Sequence, residues 1–131
     1  APLTTLNGTV DANPIETYTA AAALLNKHGI VYLHIAEVDW DDAPDTPVSF
    51  KRALREAYQG VLIYAGRYNA EKAKQAIDDE LADMIGFGRP FVANPDLPER
   101  LLHGYPLAEH DPNTLFGGAE KGLIDYPTYK A

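Results

Sequence analysis

The sequence predicts an α/β fold built around a parallel β-sheet. Three short apolar segments alternate with four segments that carry helix start and stop signals, in the order helix, strand, helix, strand, helix, strand, helix. Parallel strands need a crossover between them, usually a helix, and such connections are right-handed. The alternation therefore indicates βαβ units in either a doubly wound sheet or a barrel.

The helices are predicted from the residues at their ends. Asn13-Pro14 places an N-cap before a proline in the first turn, and Gly29 follows Lys27 and His28 as a stop. The later helices repeat this pattern of a capping residue or proline at the start and a glycine after the end. The four predicted helices run from 13 to the stop at 29, from 49 to 58, from 69 to about 79, and from 94 to 104.

The three apolar segments are residues 30–35, 61–65 and 81–87. Each is almost continuously apolar instead of alternating, which is typical of a strand covered on both faces. In parallel α/β folds, ligands bind at the carboxyl ends of the strands. The residues that follow these three segments are therefore the candidates for a functional site.

The composition excludes several classes of partner. The formal net charge is −8 at pH 7, so the long-range field of the protein repels nucleic acid and anionic membrane surfaces. No apolar run reaches the length of about 18 residues that a membrane span requires. The absence of cysteine excludes disulfides and thiolate metal sites and is typical of a reducing compartment, so we expect a cytoplasmic protein.

Two of the three loops after predicted strands combine glycine with arginine. The stretch "AGRYN" places Ala65, Gly66 and Arg67 before a helix whose N-terminal amides suit an anion, and "MIGFGRPF" places Gly88 and Arg89 after the third strand. Glycine lets backbone amides approach a ligand, and arginine binds phosphate through its guanidinium. Barrels bind phosphate after their last two strands, so the two loops predict a phosphate site. The alternative is a structural arginine beside a tight turn.

Two further features also have structural alternatives. The loop 36–45 contains five carboxylates and Trp40 but lacks the glycine of a calcium loop, so a solvated acidic loop competes with a metal site. His34 lies in an apolar strand, where a core or barrel-lining histidine is more common than a catalytic one. There is neither a cysteine nor a serine in a Gly-x-Ser-x-Gly turn, so we assign no catalytic residue.

Four motifs in one order carry a family resemblance: "YLHIAEVDW", "IYAGRYNAEKA", "LADMIGFGRPFVANPDLPERL" and "LFGGAEKGLIDYPTY". Together they resemble the C-terminal part of the old yellow enzyme family, in particular its glycerol trinitrate reductase and N-ethylmaleimide reductase members. The resemblance covers all 131 residues. It implies a (β/α)8 barrel that carries non-covalent FMN, takes reducing equivalents from NAD(P)H and passes hydride to activated alkenes or nitrate esters.

The resemblance also assigns cofactor-binding roles by position. It implies that the stretch Ala65, Gly66 and Arg67 binds the FMN phosphate, with Gly66 and Arg67 offering backbone amides. It implies that Gly88 and Arg89 hold the same phosphate, Arg89 through its side chain.

Two positions depart from the family pattern. Phe116 falls where the family usually has an aromatic residue, commonly tyrosine, near the flavin and the substrate pocket; phenylalanine keeps the ring face and loses the hydroxyl. Glu80 stands where relatives often have glycine after a helix, and a left-handed cap there would strain a glutamate.

The resemblance implies that most of the barrel lies outside this chain. A complete barrel needs about 250 residues, and residues 1–131 correspond to strands six to eight with their helices. We therefore expect a complementary N-terminal barrel segment as a partner, carrying the family's substrate-binding histidine pair or His/Asn pair and its tyrosine proton donor, and a small-molecule electron acceptor. Two alternatives remain: a cofactor-free half-barrel that acts only as a structural or assembly piece, and a generic phosphate-binding α/β domain.

Overall fold

The computed structural model of the chain describes residues 11–38, 45–115 and 119–130. The chain divides into two compact units, Ala1–Gly86 (unit 1) and Phe87–Ala131 (unit 2). Unit 1 contains α1 (Pro14–Lys27), β1 (Tyr32–Ala36), α2 (Val48–Ala57), β2 (Val61–Ala65), α3 (Ala70–Asp78) and β3 (Met84–Gly86). Unit 2 contains α4 (Arg89–Ala93) and α5 (Leu97–His103). Among these described elements, no helix is long and apolar enough to cross a membrane.

The sheet of unit 1 is parallel, as predicted. Its strands lie in the order β1-β2-β3, and helices α2 and α3 connect the neighbouring pairs. The register aligns Ala36, Ala65 and Gly86, the last residues of the three strands. The predicted alternation of helices and strands is therefore confirmed, and the carboxyl ends of the strands lie side by side.

The core of unit 1 lies on one face of this sheet. Leu62 and Tyr64 of β2 are fully buried, and Phe50 and Leu54 of α2 are each 1% exposed. Helix α2 contributes to this core because Phe50, Leu54 and Ala57 recur at helical spacing and form one apolar stripe. The predicted apolar face of this helix is therefore confirmed.

The other face of the sheet is open to solvent in the described part of the chain. Tyr32 and Met84 are 56% and 55% exposed, and the residues of β2 alternate between buried and half-buried. The prediction that each strand is covered on both faces is wrong for this chain by itself, because α1, α2 and α3 all contribute their buried residues to the core on the Leu62 face. The strand segments are almost continuously apolar because most residues on the open face, such as Val61, Ile63 and Met84, are apolar as well.

Strand β3 begins three residues later than the sequence predicts. The Leu81 amide donates to the Ala76 carbonyl at 3.0 Å, which closes the end of α3 instead of starting a strand. The Asp83 carboxylate then accepts the Leu62 amide at 2.8 Å. This hydrogen bond and the neighbouring Arg55 guanidinium lower the pKa of Asp83. Residues 81–83 thus form the corner between α3 and the sheet.

Unit 2 is organised around buried polar side chains. Asn94 is fully buried; its amide nitrogen donates to the carbonyls of Pro90 and Ala108 at 2.8 and 3.0 Å, and its oxygen accepts the Ala108 amide at 2.8 Å. The predicted fourth helix is present as α5, and its stop is confirmed, since Gly104 caps it with φ of 68°. Its predicted start is wrong: α5 begins at Leu97, and Asn94 instead caps the end of α4. Helix α4 was not predicted, because a helix of five residues is too short to show a periodic pattern.

Glu80 adopts the left-handed conformation that its position after α3 predicts, with φ of 57°. This conformation costs a non-glycine residue about 1–2 kcal/mol, and glycine would remove that cost. Glycine also loses more conformational entropy on folding, which cancels about 0.5–1 kcal/mol of the gain. We therefore expect Glu80→Gly to raise the free energy of unfolding of the protein by about 0.5–1 kcal/mol. Urea unfolding measures the difference.

The matched control is Asp78→Gly, two residues earlier in the last turn of α3. Glycine there gains nothing from a left-handed backbone, loses helix propensity and removes the exposed ion pair with Lys74, so this variant is expected to be less stable by about 0.5–1 kcal/mol. Equal losses of stability in both variants would contradict the assignment of strain to Glu80.

Candidate functional site

The carboxyl ends of the three strands carry only small side chains on the uncovered face of the sheet. Ala36, Ala65 and Gly86 stand in one row of the register. A Cβ built on Gly86 would lie 3.2 Å from the Ala65 Cβ and 3.8 Å from Nε2 of His34, so these groups share the face. His34 is exposed, which excludes a core position for it in this chain. The strand ends therefore carry no bulky side chain on the open face.

Residues 65–68 comprise the last residue of β2 and the three residues after it, and we call this segment the 65–68 loop. Gly66 is required there by packing, since a Cβ would lie 2.9 Å from the Glu37 Cβ. Arg67 is exposed. The helix that follows is capped by Asn69, whose Oδ1 accepts the Lys72 amide at 2.8 Å. Because Asn69 already satisfies that amide, an anion at this helix start would have to use the other backbone donors of the loop.

A cluster of charged and phenolic side chains lies beside the 65–68 loop. The Lys51 ammonium is 2.9 Å from Oε1 of Glu37 and donates to the Tyr68 hydroxyl at 2.7 Å. It also lies 5.0 Å from the centre of the Tyr64 ring and 5.1 Å from that of Tyr68, within the range of cation–π attraction. We call Glu37, Lys51, Tyr64 and Tyr68 the Lys51 cluster. Its side chains come from α2, from β2 and from the residues that follow β1 and β2.

Burial sets the protonation of the two tyrosines of the Lys51 cluster. It raises the pKa of Tyr64 and the pKa of Tyr68, and the nearby Glu37 carboxylate raises both further. Both phenols therefore stay neutral at physiological pH. The Tyr64 hydroxyl has no hydrogen-bond partner among the described residues.

Sequence reasoning missed the Lys51 cluster. Lys51 follows Phe50 on a helix whose apolar spacing predicts only the core face. Nothing in the local pattern shows that its ammonium reaches residues 14 and 17 positions away along the chain.

The loop after β3 begins unit 2. Gly88 is the N-cap of α4, and Arg89, the first residue of that helix, is exposed. A Cβ built on Gly88 would have no atom of the described residues within 4 Å, and the φ of Gly88 is −92°. Among the described residues, neither packing nor a left-handed backbone accounts for this glycine, although glycine is also one of the residues favoured at an N-cap. Close approach of a ligand to the backbone is a reason that remains.

A pocket of about 260 Å³ lies between α2 and α3 in unit 1. Its wall combines the apolar side chains of Val38, Val48 and Leu81 with the charged groups of Arg67 and Lys51. It is therefore adjacent to the 65–68 loop.

Three of the sequence-based candidates lie partly or wholly outside the described residues. Phe116 falls in the gap 116–118, and Trp40 and most of the acidic loop fall in the gap 39–44. Within the ranges that the structure does describe, no group of three or more His, Asp or Glu side chains is arranged to hold a metal ion.

Comparison with known proteins gives one consistent result. The model of the NADH:flavin oxidoreductase / NADH oxidase family matches residues 3–108. A putative 12-oxophytodienoate reductase from Oryza sativa subsp. japonica is 35% identical over 131 residues, with 97% of this chain and 35% of that protein covered.

Solved structures agree with the sequence comparison. Morphinone reductase superposes with a TM-score of 0.90 at 43% identity, and the old yellow enzyme from Trypanosoma cruzi with a TM-score of 0.86 at 35% identity. In both cases the alignment covers 98% of this chain and 34% of the other. The chain thus spans about a third of the length of these relatives.

The family match covers most of the chain, and solved structures of more than 30% identity share its fold. Old yellow enzymes are among these relatives, so the resemblance found in the sequence is confirmed. The chain belongs to the NADH:flavin oxidoreductase / NADH oxidase family, whose members use FMN with NAD(P)H as the reductant.

Proposed function

We propose that this chain is the C-terminal segment, strands six to eight, of an FMN-dependent (β/α)8 barrel and that it binds the cofactor phosphate. The observation that carries the proposal is the pairing of Ala65 with Gly86 at the ends of adjacent strands, each followed within three residues by glycine and arginine. Barrels bind phosphate after their last strands, at the carboxyl face. Membership of a flavin oxidoreductase family makes FMN the source of that phosphate.

The residues present fit a phosphate. Gly66 and Arg67 offer backbone amides, Gly88 lets the ligand approach the backbone, and Arg89 binds through its guanidinium. A Cβ built on Gly88 meets no described atom within 4 Å, which supports this assignment. Because the net charge is −8, these local donors must supply the attraction for the dianion against the field of the rest of the protein.

Bound FMN supplies hydride transfer from NAD(P)H to a small-molecule electron acceptor, which we propose is an activated alkene or a nitrate ester. Phe116 contributes an aromatic face beside the flavin and the acceptor, by its position in the family motif. The small row of Ala36, Ala65 and Gly86 keeps the strand ends clear of bulky side chains on the open face. The proton donor belongs to the complementary barrel segment.

The open face of the sheet supports the need for that complementary segment. Within the described residues, β1 and β3 pair only with β2, so each leaves one edge without a neighbouring strand. Tyr32 and Met84 present apolar surface on the open face. A closed barrel removes both free edges and covers this face, which is how parallel strands are normally buried.

We expect Arg89→Ala to raise the dissociation constant for FMN about 10- to 100-fold in the complete flavoprotein, since a hydrogen bond to a charged group contributes about 1.5–3 kcal/mol. Affinity for riboflavin, which lacks the phosphate, is expected to stay the same. Fluorescence titration of the apoprotein with each flavin measures both constants.

Arg52→Ala, which removes an exposed arginine of α2, is the matched control and should leave both constants unchanged. An unchanged FMN constant in Arg89→Ala would remove Arg89 from the phosphate site. Failure of the unmodified protein to bind FMN at all would favour the cofactor-free half-barrel instead.

A further inference from the structure

We propose that Lys51 is a positioning residue that holds the 65–68 loop in its phosphate-binding conformation without touching the cofactor. This inference rests on the function proposed above and adds a residue to it. Lys51 lies on α2, outside the family motifs that point to the flavin.

The geometry around Lys51 is that of an enclosed ion pair. The side chains of Lys51 and Glu37 are 13% and 9% exposed, with 2.9 Å between the ammonium and Oε1. The same ammonium donates to the Tyr68 hydroxyl at 2.7 Å. The centres of the Tyr64 and Tyr68 rings lie 5.0 and 5.1 Å from the Lys51 ammonium. The ammonium therefore has few alternative positions.

The Lys51 cluster contacts the 65–68 loop on both sides of its glycine and arginine. On one side, the Glu37 amide donates to the Ala65 carbonyl at 2.7 Å, and the Glu37 Cβ packs against Gly66. On the other side, Tyr68 follows Arg67 directly. Gly66 and Arg67 are thus held between two residues that the Lys51 ammonium joins.

Stability alone gives little reason for such a pair. Removing two charges from water costs about as much as their attraction returns, so a buried ion pair is often no more stable than apolar residues of similar volume. A better-attested role of a buried ion pair is to hold the residues around it in one conformation. Binding sites depend on such supporting contacts, because these hold the residues that touch the ligand in place.

The test compares FMN and riboflavin binding in the complete flavoprotein carrying Lys51→Met or Glu37→Gln. At metal sites, the contacts that hold the metal ligands typically contribute about 10- to 100-fold to affinity or activity, and we take the lower end of that range for a phosphate loop. We therefore expect each variant to weaken FMN binding about tenfold and to change riboflavin binding by less than about twofold, because only FMN uses the phosphate loop.

Glu37→Gln separates positioning from simple charge. Removal of a negative charge near the phosphate would strengthen FMN binding if only the electric field mattered, whereas loss of positioning weakens it. Arg55→Met is the matched control, since Arg55 also forms an ion pair from α2, with Asp83 at 2.8 Å, but at the corner before β3. This control is expected to leave the ratio of FMN to riboflavin affinity unchanged.

Three outcomes would overturn the inference. These are tighter FMN binding in Glu37→Gln, an unchanged ratio of the two affinities in Lys51→Met, or an equal change of the ratio in Arg55→Met. If the unmodified protein binds FMN no better than riboflavin, the proposed phosphate site is wrong. If the unmodified protein prefers FMN and Lys51→Met keeps that preference, only the role of Lys51 is refuted.

Discussion

Phe50→Ala is expected to lower the free energy of unfolding of the protein by about 4 kcal/mol, the range found when a buried phenylalanine is truncated. Phe50 is 1% exposed and makes an edge-to-face contact with Tyr18 of α1 at 5.6 Å between ring centres. Truncation removes apolar area from the centre of the core and leaves a cavity among α1, α2 and β2. The surrounding helices and strands are closely packed and move too little to fill it.

Urea unfolding measures the loss, and amide hydrogen exchange of β2 locates it. The control is Phe91→Ala on α4, where the ring is 45% exposed and truncation is expected to cost less than about 1 kcal/mol. A similar loss in both variants would show that Phe50 is not a central contact of unit 1.

Arg100→Met is expected to destabilise unit 2 by about 3 kcal/mol, because a buried hydrogen-bonded cation is replaced by a group that donates nothing. Arg100 is 5% exposed and donates to Asp96 at 2.7 Å, to the Pro106 carbonyl at 3.0 Å and to the Pro127 carbonyl at 2.9 Å. Through these bonds it joins α5 to two later segments of the chain. Methionine keeps most of the apolar stem, so the loss reports the hydrogen bonds.

Local hydrogen exchange tests this prediction directly. The Tyr129 amide, which donates to Asp96 at 2.8 Å, should exchange faster in Arg100→Met, whereas amides of β2 in unit 1 should keep their rates. Arg52→Met on the exposed face of α2 is the control for loss of a cation and is expected to change neither. Unchanged exchange at Tyr129 would contradict the role of Arg100 in holding the tail.

Much of the candidate site was visible in the sequence, because it depends on local chemistry. Glycine beside arginine after an apolar segment predicted the loops at Gly66 and Gly88, and the structure places Gly66 at the end of β2 and Gly88 at the start of α4. Whether these loops share one phosphate remains a prediction. The Lys51 cluster had no sequence signal, since its members are brought together by packing.

The sequence by itself determined α1, α2 and α3 to within about two residues, the strand 61–65 and the left-handed position of Glu80, because caps, proline and glycine act within a few residues. Tertiary structure alone decided which sheet face is covered and how Lys51 and Arg100 are satisfied. Those contacts join groups 17 and 27 residues apart, and no local pattern encodes a partner at that distance. A buried charge takes whichever partner the packed elements place within reach, because leaving it unpaired in the interior costs more than any local preference.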